Sequence, residues 1–255
     1  MSGYIGNAVR ALAFALAILS ASPMVHAQQV AVLQVGGKDL RFEVPAGYVR
    51  SSVVQPKLFE ITSASAPPTN RLVESFMAES DAKRVVAGAM AEQPAYQVQA
   101  FRDAEALDFS EADWDALRPI VAKTFGELDM NAVAASQSDG SAERMGGALG
   151  TKVTLAFGEI GKPVVYQDSG DSVRFVMLVP VAISTIGIQR QVVVECTGAI
   201  LPLAGKVVFL YVYRKHEDGE DSSISRATLD HFVERAIALN QAPAATPVAT
   251  PAVSP

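Results

Sequence analysis

Three side chains are the candidates for a catalytic nucleophile or base: Cys196 and the two histidines that lie beyond residue 27, His216 and His231. A cysteine nucleophile needs a nearby base and a lowered pKa, so Cys196 with His231 or His216 would define a cysteine-dependent enzyme. Residues 192–196, however, are typical of a buried strand, and free cysteine is among the most often buried residue types. Core packing is therefore the favoured interpretation of Cys196, and catalysis remains the alternative.

A second candidate site is the turn over residues 216–221, where His216 is followed by four acidic side chains. The turn lacks the acidic spacing and the distal glutamate of a calcium loop, and the sequence contains no HExxH zinc motif. A charged, solvated connection explains these residues better. The sequence predicts no bound metal and no other cofactor.

A glycine-rich turn after a strand would indicate phosphate binding, and a serine elbow would indicate hydrolysis. Residues 146–150 (GGALG) precede a strand, whereas a phosphate-binding glycine turn follows a strand and opens a helix. The sequence has no Gly-x-Ser-x-Gly elbow, the common hydrolase signature. No catalytic motif therefore stands out.

The elements that position these residues begin with a hairpin. Residues 30–35 and 39–44 flank Gly36-Gly37, and a glycine pair suits the positive φ angles of a tight turn. Residues 71–78 and 96–101 are predicted as extended segments. A loop that carries two prolines is predicted over residues 63–70.

The middle of the chain is predicted to be helical. Ser110 is a suitable N-cap, and an apolar stripe follows it at helical spacing. Pro119 predicts a kink or a restart within this helix. Further on, the Ala-rich start of residues 131–150 favours a helix, whereas residues 136–147 are typical of a loop.

The last hundred residues are strand-rich. Five strands are predicted, over residues 152–157, 164–167, 172–184, 189–200 and 206–214. The links between them are too short for parallel connections, which predicts an antiparallel meander. Residues 175–183 and 207–213 are apolar at nearly every position, which predicts cover on both faces.

A final helix is predicted to provide part of that cover. Ser222 or Ser223 is its predicted cap. Its apolar face is predicted to comprise Ile224, Leu229, Phe232, Val233, Ala236 and Ile237. The predicted fold class is α+β, a three-layer α/β/α sandwich on a mainly antiparallel sheet, formed by one domain over residues 28–240.

The two ends of the chain are predicted to lie outside this domain. Residues 1–27 have the pattern of a secretory signal peptide, with a short apolar run and a small-residue exit that favours cleavage between Ala27 and Gln28. Residues 241–255 contain four prolines and no charged side chain, and are predicted to form a disordered tail. We therefore expect a periplasmic or secreted protein, with no transmembrane segment after cleavage.

Charge and cysteine content restrict the classes of partner. The formal net charge of −6 disfavours nucleic acid and anionic lipid surfaces. A single cysteine excludes an intramolecular disulfide, so the domain must be held together by its core.

Residues 42–48 (FEVPAGY), the long meander strands and a closing strand with its helix resemble the Mog1/PsbP-like architecture. The segment 205–211 (GKVVFLY) and the helix through Asn240 are similar to the ending of exported bacterial proteins with that fold. The resemblance implies an accessory or binding role, since members of the fold include photosystem subunits and a small-GTPase partner.

These observations predict an exported accessory or binding protein of the cell envelope, whose partner is a protein or peptide. The predicted binding surface is an edge of the sheet, or a groove between the sheet and the loops in residues 45–68. The alternative remains a cysteine-dependent enzyme that uses Cys196.

Overall fold

An antiparallel sheet organises the fold. The computed structural model describes residues 29–86, 91–185 and 188–241. The predicted signal peptide and cleavage site lie outside these residues, as does the predicted tail from residue 242 onward. No helix in the described ranges is long and apolar enough to span a membrane.

The strands are β1 (Val30–Val35), β2 (Lys38–Glu43), β3 (Tyr48–Arg50), β4 (Asn70–Ala78), β5 (Ala95–Phe101), β6 (Thr154–Phe157), β7 (Val164–Gln167), β8 (Val173–Thr185), β9 (Ile188–Leu203) and β10 (Lys206–Lys215). The helices are α1 (Ser51–Val54), α2 (Pro56–Ser65), α3 (Glu79–Val86), α4 (Glu111–Glu127), α5 (Met130–Leu149) and α6 (Ser223–Gln241).

The main sheet has the order β3-β4-β5-β10-β9-β8-β6, and β7 pairs with β8 beside β6. The β1–β2 hairpin and α6 cover one face, where Leu33, Phe42, Leu210 and Phe232 belong to one core cluster. Helix α4 covers the other face, where Trp114 packs in a second cluster. The predicted three-layer sandwich on an antiparallel sheet is therefore confirmed.

The N-terminal hairpin forms as predicted. Gly36 and Gly37 have φ angles of 53° and 78°, the left-handed conformations that a type I′ turn requires. The outer edge of β2 is closed by the side chain of Asn240 on α6. Its amide accepts a hydrogen bond from the Arg41 N–H at 3.0 Å and donates one to the Arg41 carbonyl at 2.8 Å. The N-terminal hairpin and the last described helix are thereby joined.

The predicted five-strand meander is correct for β7, β8, β9 and β10, which pair antiparallel in chain order, but it is wrong for β6. β6 pairs with the last residues of β8, and β7 pairs with its first residues. Since both are antiparallel to β8, they run in the same direction, end to end along one edge. The short link over residues 158–163 continues along that edge and makes no reversal, which is why link length alone misled the prediction.

The loop predicted over residues 136–147 is wrong, because α5 is one helix from Met130 to Leu149. Asp129 caps its start, and Gly150 ends it with a φ of 68°. Arg144 donates hydrogen bonds to the carbonyls of Ala64 and Ala66 at the end of α2. A polar, glycine-containing segment thus gains tertiary contacts that its own periodicity does not reveal.

Other boundaries also differ from the sequence prediction. α2 extends to Ser65, so the loop predicted from residue 63 begins at Ala66. α4 begins at the predicted cap, where Ser110 and Asp113 form a capping box, and it continues through Pro119 without a restart. In β8, residues 173–176 are buried as predicted, whereas most of residues 177–185 are partly exposed.

Candidate functional site

Cys196 lies in β9, opposite Met177 of β8 and Tyr213 of β10. Its side chain is 1% exposed. Burial raises the pKa of the Cys196 thiol to about 12, and the nearby Glu195 charge adds to this effect, while a hydrogen bond from Tyr213 opposes it. Such a thiol remains protonated at neutral pH, which is the opposite of an activated nucleophile.

The structure does not bring Cys196 and His231 together. Residues two apart on a strand share a face, so Cys196 lies on the same side of the sheet as Ile200, which packs in the α4 core cluster. His231 lies on α6, whose buried residues belong to the cluster on the opposite face. The sheet therefore separates the two side chains of this proposed dyad.

His216 is placed beside Glu195 and away from the thiol. The His216 Nδ1 atom lies 3.7 Å from Glu195 Oε2, and Glu195 projects to the opposite face from its neighbour Cys196. Glu195 is fully buried and accepts a hydrogen bond from Arg214 Nε at 2.8 Å. Burial opposes ionisation of Glu195, but the neighbouring Ser222, Arg214 and Ser225 side chains hold its pKa below the usual value. This cluster anchors the start of α6 to the sheet.

Within the described residues, no group of His, Cys, Asp and Glu side chains is arranged to hold a metal ion. The glycine-rich segment ends α5, with Gly150 at its C-terminus. A helix C-terminus presents carbonyl oxygens, so this segment has none of the N–H groups that bind phosphate.

A groove of about 570 Å³ lies between α6, the loop after β2 and the start of β5. It is lined by Glu43, Pro45, Ala46, Tyr96, Ile224, Ala227, Thr228, His231, Phe232 and Arg235. The predicted groove between the sheet and residues 45–68 is therefore only partly correct. Residues 45 and 46 form one wall, but the opposite wall is α6, and none of residues 47–68 lines the groove.

Aromatic rings form the floor of this groove, which we call the α6 groove. The ring of Phe232 lies 5.2 Å from Tyr96 and 6.2 Å from Phe76, in edge-to-face arrangements. Tyr96 in turn lies 5.1 Å from Tyr48. Burial raises the pKa of Tyr48, as do the neighbouring Tyr96 and Asp81, so its hydroxyl stays neutral. The two rings that line the groove, Tyr96 and Phe232, thus form an uncharged floor that packs on further aromatic rings.

The exposed side of α6 provides the other wall. Ile224, Thr228, His231 and Arg235 recur at helical spacing and line the groove together. Ile224 is 65% exposed, so its assignment to the buried face was wrong. At 3.6 residues per turn, Ile224 points about 180° away from Val233, a signal that the sequence already contained.

The charged groups in the groove compensate one another. Arg235 Nε donates to Glu43 Oε2 at 2.5 Å, which ties α6 to the end of β2. Of the predicted candidate residues, only His231 lies in the groove. Tyr96, Glu43 and Arg235 were missed because they are distant in sequence and carry no motif.

The protein is thus a three-layer α/β/α sandwich with a groove between its last helix and the sheet. No protein-family model and no curated protein sequence matches the chain. Its structure is similar to that of the Ran-binding protein Mog1p of Saccharomyces cerevisiae, with 10% identity, 84% of this chain and 95% of that chain covered, and a TM-score of 0.32. It is also similar to CyanoP, the PsbP of Synechocystis sp. PCC 6803, with 11% identity, 84% and 96% coverage, and a TM-score of 0.32. Likeness at this level does not imply a shared activity or partner.

Proposed function

We propose that this chain is an exported accessory protein that binds an uncharged, apolar segment of a partner polypeptide in the α6 groove. The observation that carries the proposal is the exposed Ile224 beside an aromatic floor. Exposed apolar surface next to a concave site is typical of binding sites. Among the three predicted catalytic candidates, the buried thiol and its separation from His231 favour binding over catalysis.

The chemistry of the occupant follows from the groove lining. Glu43 and Arg235 already neutralise each other, so a charged ligand group would lose hydration without gaining a free counter-charge. Apolar side chains that pack on Tyr96 and Phe232 would instead bury surface favourably, at about 25 cal/mol per Å². An apolar peptide segment fits this surface best.

Site-specific photo-crosslinking in the cells that produce the protein tests this function. A photoreactive side chain at Thr228, inside the groove, is expected to give a discrete crosslinked product, and Ile224→Glu should abolish it. The matched control is Ile120→Glu, since Ile120 is 62% exposed on α4, outside the groove. If both variants retain the product, or both lose it, the groove is not the binding site.

The envelope part of the proposal rests on the expected export of the chain. The signal-peptide pattern of residues 1–27 motivates it, and removal of these residues would leave every strand from β1 onward intact. Intact-mass measurement of the protein from fractionated cells is expected to give a chain that begins at Gln28. Ala27→Phe should block cleavage, because signal peptidase requires a small residue there. Uncleaved protein in the cytoplasm would contradict export.

A further inference from the structure

We propose that the outer edge formed by β6 and β7 pairs with the same edge of a second copy of this chain, which joins two main sheets in a homodimer. This dimer edge comprises residues 154–167. The sheet ends there, and no strand in the described ranges pairs with the outer side of β6 or β7. The dimer edge shares no residue with the lining of the α6 groove, so the inference goes beyond the proposed function.

The backbone of β6 is available for pairing. The Gly158 N–H donates a hydrogen bond to the Pro180 carbonyl of β8 at 2.9 Å. Successive residues of a strand direct their N–H and C=O groups to opposite sides, so Leu155 and Phe157 direct theirs away from β8. Neither β6 (TLAF) nor β7 (VVYQ) contains a lysine or a proline, the residues that usually protect an edge strand. This edge is therefore a template for another strand.

A two-fold axis through the middle of the dimer edge pairs both strands at once. β6 and β7 are both antiparallel to β8 and follow each other along it. A rotation of 180° about an axis perpendicular to the sheet therefore places β6 of each copy antiparallel to β7 of the other. The contact uses the same surface of both copies and closes on itself, as in most homodimers.

The charges on this edge favour a second copy as the partner. Glu159 and Lys162 are exposed and lie on opposite sides of the centre of the link between β6 and β7. The rotation brings Glu159 of each copy towards Lys162 of the other, which gives two ion pairs in the dimer. A parallel arrangement would instead bring like charges together, so the charge order selects the antiparallel one.

The link that carries these charges is held in place by α5. The Ile160 N–H donates to Asn131 Oδ1 at 2.8 Å, and Asn131 Nδ2 donates to the Ile160 carbonyl at 3.0 Å. Ile160 is 4% exposed, and Pro163 is also buried. Because the backbone of the link is already fixed, it loses little conformational freedom when two copies meet.

Apolar contacts flank the charged centre. Val165 of β7 and Leu155 of β6 project from the α4 face of the sheet, because each lies opposite an odd-numbered residue of β8, as Phe175 of the α4 core cluster does. Between α4 and β7 lies a groove of about 500 Å³, whose apolar lining includes Pro119, Ala122 and Val165. In the dimer, Leu155 of the second copy lies beside this groove and packs against that lining.

Charge reversal and its repair test the dimer. Glu159→Lys and Lys162→Glu each place like charges together at both sites, so either change should raise the dissociation constant of the dimer about tenfold or more. The double variant Glu159→Lys/Lys162→Glu restores both pairs and should restore association. Sedimentation velocity over a range of protein concentrations at low salt measures the constant. Glu60→Lys, an exposed charge reversal on α2, is the control and should leave it unchanged.

Oxidative crosslinking tests the position of the axis. Gly161 lies next to this axis, and a Cβ there would meet nothing within 4 Å. Gly161→Cys should therefore give a disulfide-linked dimer under mild oxidation, measured by electrophoresis without reductant. Gly147→Cys, equally open but on α5 outside the dimer edge, should stay monomeric under the same conditions. The native Cys196 is buried and does not contribute.

Several results would overturn the inference. The first is a native protein that stays monomeric at every concentration, and the second is a dimer that both single reversals leave unchanged or that the double variant fails to restore. The third is Gly161→Cys that gives no disulfide, or no more than Gly147→Cys. None of these results bears on the α6 groove, which photo-crosslinking at Thr228 tests separately.

Discussion

At the scale of single residues, the thiol of Cys196 is defined by its strand position. β9 places it opposite Met177 and Tyr213, and the chain carries no histidine on that side of the sheet within the described residues. Its hydrogen-bonding neighbour is the Tyr213 hydroxyl, whose own pKa is raised by burial. The environment therefore suits a packed side chain and not a nucleophile.

We expect iodoacetamide to leave Cys196 unmodified in the native protein at neutral pH and to modify it at once in denaturant. The reason is that alkylation requires the thiolate, and the folded pKa is raised to about 12. Mass spectrometry of the alkylated protein measures the extent of reaction. Rapid modification of the native protein would instead support the cysteine-dependent enzyme.

The raised pKa of the Cys196 thiol also makes the free energy of unfolding depend on pH. A thiol whose folded pKa exceeds its unfolded value of about 8.5 contributes stability that is complete below that pH. This contribution is lost as the pH rises towards 12, the folded value. The free energy of unfolding of the native chain should therefore fall more steeply above pH 9 than that of Cys196→Ala. If the free energy of unfolding has the same pH dependence in both proteins, the thiol has the same pKa in the folded and unfolded states.

At the scale of elements, two glycines differ in whether the structure has room for a larger side chain. A Cβ on Gly198 in β9 would lie 2.4 Å from the Phe175 ring of β8, and the centroid of that ring lies 4.8 Å from the ring centroid of Phe125 on α4. A Cβ on Gly147 in α5 would meet nothing within 4 Å. The first glycine is required by packing between layers, and the second is not.

Gly198→Ala should therefore lower the free energy of unfolding by about 1–3 kcal/mol, because Phe175 must move in a filled core. Gly147→Ala should raise it by about 0.5–1 kcal/mol, because alanine favours a helix interior. Urea denaturation of the two variants measures both effects. Equal effects of the same sign would contradict this account of the sheet–helix interface.

At the scale of the whole molecule, the two ends of the folded chain are held against each other. Asn240 satisfies both backbone groups of Arg41, and Arg235 pairs with Glu43 on the same hairpin strand. The hairpin belongs to a separate two-stranded sheet, so these α6 contacts connect it to the rest of the domain. The same ends of α6 and β2 frame the proposed binding groove.

Asn240→Ala should destabilise the protein by about 1–3 kcal/mol, because it leaves the Arg41 N–H and carbonyl without their partner. Hydrogen exchange at the Arg41 amide should accelerate by the corresponding factor. Gln241→Ala, one residue further along and exposed, is the control and should change stability by less than about 0.5 kcal/mol. Unchanged exchange at Arg41 would show that the amide contact does not hold the hairpin.

Local patterns in the sequence were sufficient for most elements. The alternation in β2, the glycine pair at residues 36–37 and the Ser110 cap each act over a few residues, so their outcome follows from neighbouring side chains. The antiparallel sandwich followed from short links and apolar strands. Where the pattern depended on distant partners, as in α5 and the β6–β7 edge, the prediction was wrong.

The residues of the groove could be identified only from the tertiary structure. Tyr96, Glu43 and Arg235 meet only because α6 returns to the first hairpin after the whole sheet has formed, and no short-range signal encodes that contact. The separation of Cys196 from His231 likewise depends on which face each element presents. The sequence alone determined the strand positions, the cap and the single buried thiol, because these are local properties. Tertiary packing decided which of these side chains share a surface, because that depends on contacts across the whole chain.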